Sequence, residues 1–318
     1  MLRKFTYNKI FRTTGMLLLL LLLLLFPASK EYTLEDEKTV KTVSSVKKKE
    51  AFLVDKNNYI ARCNVMLSSN SDEEYARKLI ELLIIGGKYE QKVPNGFKAI
   101  LPSDTKINSV KIKDDSIYID LSSDFYDISK DEEEKAIEIL TYNLTTINGI
   151  SKLYINIDGK KLSYLPKSKI NLNQPFTRKD GINKKYDVNN YKNVNETTVY
   201  FTNKNNSGYY YVPVTKVNND GREKIKIIID ELTSSHIYET NLMSFLNYNT
   251  KLLDYELKDD VLTLNFNNYI FDDGDKKTIL EEVIYSICLS VRDNYNVKEV
   301  VFTVNGDEIT KSVLKNIE

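Results

Sequence analysis

The chain has no tryptophan, one histidine and two cysteines among 318 residues, and its 45 basic side chains are matched by 45 acidic ones. Each scarcity narrows the function. A formal charge of zero takes away the electrostatic case for nucleic acid, which needs a basic surface to displace counterions. No nucleic-acid partner is expected, a local basic patch being the one opening left. Cys63 and Cys288 are too few for a disulfide-stapled scaffold and lack metal-site spacing. They read as buried free thiols acting as small apolar side chains. The alternative, a disulfide between the two halves of the chain, requires alpha carbons within about 7 Å. The lone His236 follows a helix ending near Leu232, with no activated nucleophile or orienting carboxylate signalled beside it. A histidine at a helix end caps carbonyls or faces water, so it is not read as catalytic.

What is present begins with an export signal. Arg3, Lys4, Lys9 and Arg12 precede an uncharged apolar run, Met16 to Phe26, which orients the positive end toward the cytoplasm. The run is shorter than the ~20 residues that span a bilayer comfortably. Pro27-Ala28-Ser29 makes a poor cleavage site, so residues 1–29 read as a signal peptide or a short signal anchor. No cysteine follows the run, which excludes attachment as a bacterial lipoprotein. Residues 30–50 are charged and lack apolar periodicity, and read as an exposed stalk. Residues 167–195, rich in Asn, Lys and Asp with Gly181 and Pro175, read as a linker. Two ordered blocks remain, 51–166 and 196–318.

The blocks repeat each other. Lys113-Asp114-Asp115 leads into Ile117, Ile119 and Leu121, and Lys258-Asp259-Asp260, 145 residues on, leads into Leu262, Leu264 and Phe266. Alternation of period two is what a half-buried strand requires. Helical spacing follows in both copies, at Ile137, Leu140, Leu144 and Ile147, then at Ile284, Ile287 and Val291. Closing strands follow, Leu153, Ile155 and Ile157 matching Val300, Phe302 and Val304. They end in Asp158-Gly159 and Asn305-Gly306, dipeptides that favour type I′ hairpins. An earlier helix also recurs, with Ala76, Leu79, Ile80 and Leu83 answered by Ile225, Ile228, Ile229 and Leu232. The expected fold is α+β: two tandem two-layer modules, each a small mixed or antiparallel sheet with two helices packed on one face.

Thr198-Val199-Tyr200-Phe201-Thr202, a polar turn, and Tyr209-Tyr210-Tyr211-Val212-Pro213-Val214 resemble the start of the GerM domain, the sporulation and spore germination module. The first block resembles other parts of that pattern, in Glu81-Leu82-Leu83-Ile84-Ile85-Gly86-Gly87 and in Leu101-Pro102-Ser103-Asp104-Thr105-Lys106-Ile107. The second block departs at Asn247-Tyr248-Asn249-Thr250-Lys251-Leu252, where the proline segment should stand. The first has Arg62-Cys63-Asn64-Val65-Met66-Leu67 in place of the Val-Tyr-Phe opening. The resemblance implies tandem GerM domains similar to ring-building modules of the sporulation channel. It also implies extracytoplasmic placement, in the space between the mother-cell and forespore membranes, and assembly rather than catalysis, with binding of cell-wall glycan or a germination signal as the alternative. The implied partners are proteins of the sporulation envelope or further copies of the chain, with membrane contact through the leader and peptidoglycan as a further ligand. The family brings no catalytic residues, and no catalytic, cofactor-binding or metal residues are assigned.

Three other features have structural readings. Asp131-Glu132-Glu133-Glu134 and Asp272-Asp273-Gly274-Asp275 precede helices, where negative charge complements exposed amides. Calcium at Asp272, Asp273 and Asp275 is the alternative, without the spacing or distal glutamate of a calcium loop. Gly86-Gly87 has no following Gly-Lys-Ser/Thr and reads as a helix end rather than a phosphate loop. In Tyr209-Tyr210-Tyr211, alternation sends Tyr209 and Tyr211 to one face and Tyr210 to the other, one face for the core and one for contact with a partner or a sugar.

Overall fold

A computed structural model describes residues 48–190, 192–234, 241–272 and 277–313. They lie in one compact unit, Val46–Glu318. The apolar leader, the stalk up to residue 47, His236, Asp273 and Asp275 fall outside the described residues. Among the described residues no helix is long and apolar enough to cross a membrane.

The first module runs β1 (Lys49–Asp55), β2 (Ile60–Val65), α1 (Asp72–Leu82), β3 (Phe97–Lys98), β4 (Ile107–Lys113), β5 (Ser116–Leu121), α2 (Glu133–Leu144), β6 (Lys152–Ile157) and β7 (Lys160–Lys161). A short β8 (Lys185–Asp187) lies in the connection. The second module runs β9 (Asn195–Asn205), β10 (Gly208–Asn218), α3 (Lys224–Thr233), β11 (Leu252–Lys258), β12 (Val261–Phe266), α4 (Glu281–Asn294), β13 (Glu299–Val304) and β14 (Asp307–Val313).

The duplication extends to single hydrogen bonds. The two-residue turns after β4 and β11 place Asp114 and Asp259 at φ 53° each. The next residue, Asp115 or Asp260, accepts backbone bonds from the start of β6 or β13 and pairs with Lys152 or Lys298. β5–β6 and β12–β13 are the parallel pairs, flanked by antiparallel neighbours, giving sheets β4-β5-β6-β7 and β11-β12-β13-β14. Both central residues of Asp158-Gly159 and of Asn305-Gly306 have positive φ, as type I′ hairpins need. The alternating side chains Ile117, Ile119, Leu121, Leu262, Leu264 and Phe266 are all at most 1% exposed. Each such burial is worth ~1.5–3 kcal/mol. α1 starts at Ser71, whose hydroxyl accepts from the Glu74 N–H, and ends ahead of Gly86, whose φ of +68° suits the left-handed exit.

A third sheet is not foreshadowed by the repeats. The opening hairpins of both modules join it in the order β3-β1-β2-β10-β8, with β9 paired to β10. β1 supplies the counterpart of the Val-Tyr-Phe opening, Ala51-Phe52-Leu53, so that segment is present upstream of Arg62 rather than absent. The second helix of each module seals the corresponding strand. In the first, the fully buried Asn143 amide of α2 accepts from Phe52 N–H at 3.0 Å and donates to Phe52 C=O at 2.7 Å. In the second, Ser290 of α4 accepts from Tyr200 N–H at 2.9 Å and Asn294 clasps both backbone groups of Thr198. Backbone groups left unpaired there would cost ~1–3 kcal/mol each.

Residues 167–195, the connection between the modules, are packed into this arrangement. Glu133 accepts the backbone N–H of Lys167 and Ser168, so this acid holds the connection instead of capping its own helix. Gln174 bonds to both backbone groups of Ile155, Phe176 bridges to Leu153, and Asn183 bonds to Ile60 and Pro213.

Candidate functional site

The modules meet where β2 and β10 approach, with Arg62 opposite Tyr211 in register. Beneath this seam lies a chain of charges. Arg292 of α4 forks onto Glu50 of β1 at 2.9 and 3.1 Å, and Arg62 Nε lies 3.2 Å from the same carboxylate. Arg292 Nε stands 3.5 Å from Asp293, whose side chain is 1% exposed. Asp293 accepts from Arg178 of the connection at 3.0 Å and from the Tyr200 hydroxyl at 2.6 Å. Arg178 also donates to Thr145 and to the Tyr142 carbonyl, and its guanidinium lies 4.8 Å from the Tyr142 ring centroid and 5.3 Å from that of Phe52. First module, connection and second module therefore each contribute a charge. Burial alone would raise the Glu50 carboxyl, but Arg292, Arg62 and Arg178 override it and bring it to about 2. Burial pulls Arg178 and Arg292 down, while Asp293 and Glu50 lift both above the ordinary arginine value. Glu50, Arg178 and Arg292 are thus held in their charged forms at neutral pH, and the cluster acts as a brace.

Above the brace, a cleft of about 390 Å³ opens to solvent. Its lining combines the charged Arg62 and Glu281 and the polar Asn64, Asn95, Asn205 and Ser207 with Tyr209, Tyr211 and Tyr285. Alternation along β10 sorts the tyrosine run as the pattern requires. Tyr210 is 7% exposed and donates to Asp55 Oδ2 at 2.8 Å, while Tyr209 is 45% exposed. Tyr211 stacks on Tyr285 with centroids 5.8 Å apart, and Tyr209 meets the Phe245 ring edge-on at 4.9 Å. Cys63 lines the cleft but is buried, and burial pushes its thiol up to about 12, as it does for Cys288. Both cysteines are free, as small buried apolar side chains, with no disulfide between the halves. Among the described residues no group of His, Cys, Asp and Glu is placed to hold a metal ion.

One further carboxylate is perturbed. Glu138 of α2 is 8% exposed, and burial raises it to about 7 against the pull of Lys184 and the Asn183 N–H. It lies between two small surface hollows that share Glu134 and Lys184. Sequence alone gave no hint of this, because Lys184 arrives from the connection, 46 residues away.

Comparison with known proteins agrees with this architecture. The family model described as "Germane: Sporulation and spore germination" matches residues 32–163 and 198–310. The chain is 34% identical over 286 residues to the spore germination protein GerM of Bacillus subtilis strain 168, covering 88% of this chain and 78% of that one. The solved tandem GerMN domains of the sporulation protein GerM from Bacillus subtilis superpose with a TM-score of 0.75 at 33% identity, covering 83% of this chain and 92% of that one. Two modules repeated down to their turn residues, with both copies matched in order, place this chain in the sporulation and spore germination family of tandem GerM-domain proteins.

Proposed function

We propose that this protein is a non-catalytic scaffold or assembly component of the sporulation envelope. It is held by its N-terminal segment on the extracytoplasmic face, in the space between mother-cell and forespore membranes, or is secreted if that segment is cut. The observation that carries this reading is the seam. A shared sheet and a buried brace from Glu50 through Arg292 and Asp293 to Arg178 fix two interaction modules as one unit. Fixed spacing lets a second contact form at high effective concentration without an ordering cost. The test is the hydrodynamic size of residues 46–318 with and without the ectodomains of sporulation-envelope proteins. Co-migration supports the reading, and separate migration with every ectodomain counts against it.

A second reading, binding of cell-wall glycan, is favoured by the cleft. Amides and a hydroxyl beside tyrosine rings, with Arg62 and Glu281 also in the lining, suit the hydroxyl and acetamido groups and the apolar faces of amino sugars. Retention on insoluble peptidoglycan, lost in Tyr209→Ala, is the expected result. Tyr210 is the wrong probe because it is buried and bonded to Asp55. Full retention by Tyr209→Ala, or none by the native protein, removes this reading.

A further inference from the structure

Between α2 and the connection lies a hollow of about 230 Å³ that shares no residue with the brace or the tyrosine cleft. Its helix wall is Glu134, Ile137, Glu138 and Thr141, positions three and four apart that fall on one face of α2. The connection supplies the opposite wall. Its Leu165 and Phe176 are buried, like Ile137, its Leu172 is half-buried, and its Ile170 is 51% exposed. These side chains give the hollow an apolar lining. Its charged lining is Glu134, Glu138, Asp180 and Lys184, three carboxylates against one ammonium. The hollow on the other side of Glu138 differs on both counts. There Asp131, Glu134 and Glu138 are matched by Lys135, Lys184 and Lys185, and Tyr59 is the one aromatic or aliphatic side chain. A net negative hollow with apolar walls therefore lies on one side of Glu138 only.

Glu138 is the group that calls for a ligand. Its side chain is 9% exposed, and a buried carboxylate needs close donors on both oxygens to offset its lost hydration. Oε2 has one, the Asn183 N–H at 2.9 Å. Toward Oε1, Lys184 Nζ stands 3.6 Å away, an ion pair too long for a hydrogen bond. The Lys184 ammonium is drawn instead to Glu134, at 2.7 Å. Burial accordingly wins at Glu138 and lifts its carboxyl to about 7, so the partners present do not offset its desolvation. A second cation entering from the hollow would do so.

We propose that this hollow binds a small primary amine with a short apolar tail, its ammonium on Glu138 and its tail against Ile137, Leu165, Leu172 and Phe176. The volume sets the size of the ligand, since it lies below the ~300–1,000 Å³ of pockets that take drug-sized molecules. The charge balance sets its sign, and the aliphatic and phenyl walls set the chemistry of its tail. An ammonium donor on a carboxylate makes the strong, charge-assisted kind of hydrogen bond. The site goes beyond both readings above, and stands or falls independently of assembly and of glycan binding in the cleft.

The test is methyl-resolved NMR on residues 46–318, which form one compact unit. The protein is titrated at pH 8 with pentan-1-amine, whose ammonium, like that of lysine, stays protonated there. Pentan-1-ol and pentanoate are titrated in parallel. Shifts are expected at the methyls of Ile137, Leu165 and Leu172, with a dissociation constant of about 1 mM or tighter for the amine. Pentan-1-ol, which lacks the charge, is expected to bind ~tenfold or more weakly, and pentanoate weaker still. Glu138→Gln is expected to keep the native methyl spectrum and to bind amine and alcohol alike. Absence of shifts with the amine, shifts confined to other methyls, or equal affinity of the native protein for amine and alcohol overturns the proposal. So does a folded Glu138→Gln protein that still prefers the amine. The comparison of amine with alcohol on the native protein needs no variant, so a Glu138→Gln protein that fails to fold leaves the outcome decided.

Discussion

Replacing Glu50 by glutamine removes the carboxylate that Arg292 and Arg62 share at the seam. The loss can be sized in two ways. Holding the carboxyl at about 2, against 4.5 for an ordinary glutamate, corresponds to ~3 kcal/mol in favour of the charged form. Breaking one partner out of a buried pair costs about 3–5 kcal/mol, because Arg292 and Arg62 keep their charge and lose its complement. The two figures agree at their lower end. For residues 46–318 unfolded in urea at pH 7, with a slope of about 3 kcal/mol per molar, Glu50→Gln is expected to lower the midpoint by ~1 M. The pH dependence has a definite sign. The folded value lies below the unfolded one, so the Glu50 contribution is complete above pH 4.5 and fades as the pH falls toward 2. The gap between native protein and variant should therefore be widest at pH 7 and close by pH 2. An unchanged midpoint at pH 7, or a deficit of the same size at pH 2, would refute the brace.

Other perturbations follow from the same contacts. A fragment begun at residue 51 loses Lys49 and Glu50, and is expected to melt as low as Glu50→Gln, whereas one begun at 46 melts as the full unit does; scanning calorimetry separates them. Asn143→Leu strips both backbone partners from Phe52 and is expected to destabilise by about 2–4 kcal/mol in urea unfolding, far more than Thr146→Ala on the same helix end. Glu138 has its folded value raised to about 7, so the native state holds a proton that the unfolded chain releases between pH 4.5 and 7. Stability should fall across that window by on the order of 3 kcal/mol, and Glu138→Gln should abolish the slope; an identical slope in the variant would show that other groups set it. Cys63 and Cys288, buried and held near 12, are expected to resist a thiol reagent at pH 8 until urea unfolds the chain, as followed by absorbance.

What could be read from the sequence was local and doubled. Ile117, Ile119 and Leu121 alternate because their strand buries one face, and the Asp114-Asp115 and Asp158-Gly159 turns need positive φ that few residues adopt. Each of these signals lies within a few residues and recurs about 145 positions later, which separates it from chance. The opening strand β1 was harder to place. Ala51-Phe52-Leu53-Val54 is buried on both faces, so it shows no alternation, and its mate in the second module is recognised only by the helix side chains that seal it. The brace and the cleft had no local signature at all. Glu50 and Arg292 are 242 residues apart, and Arg178 sits in a polar stretch that reads as a solvated linker until Asp293 is brought against it. The tyrosine run was half legible: alternation divided the faces, but which face met the core depended on Asp55, 155 residues from Tyr210.

The central claim is that the two GerM modules move as a single body, and a distance measurement tests it without reference to any partner. Spin labels at Ser103 in the first module and Asn296 in the second, both on exposed loops, report their separation by double electron–electron resonance. One narrow distribution, broadened or split by Glu50→Gln, is expected. A broad distribution in the native protein would mean that the modules swing independently and that the seam does not hold them.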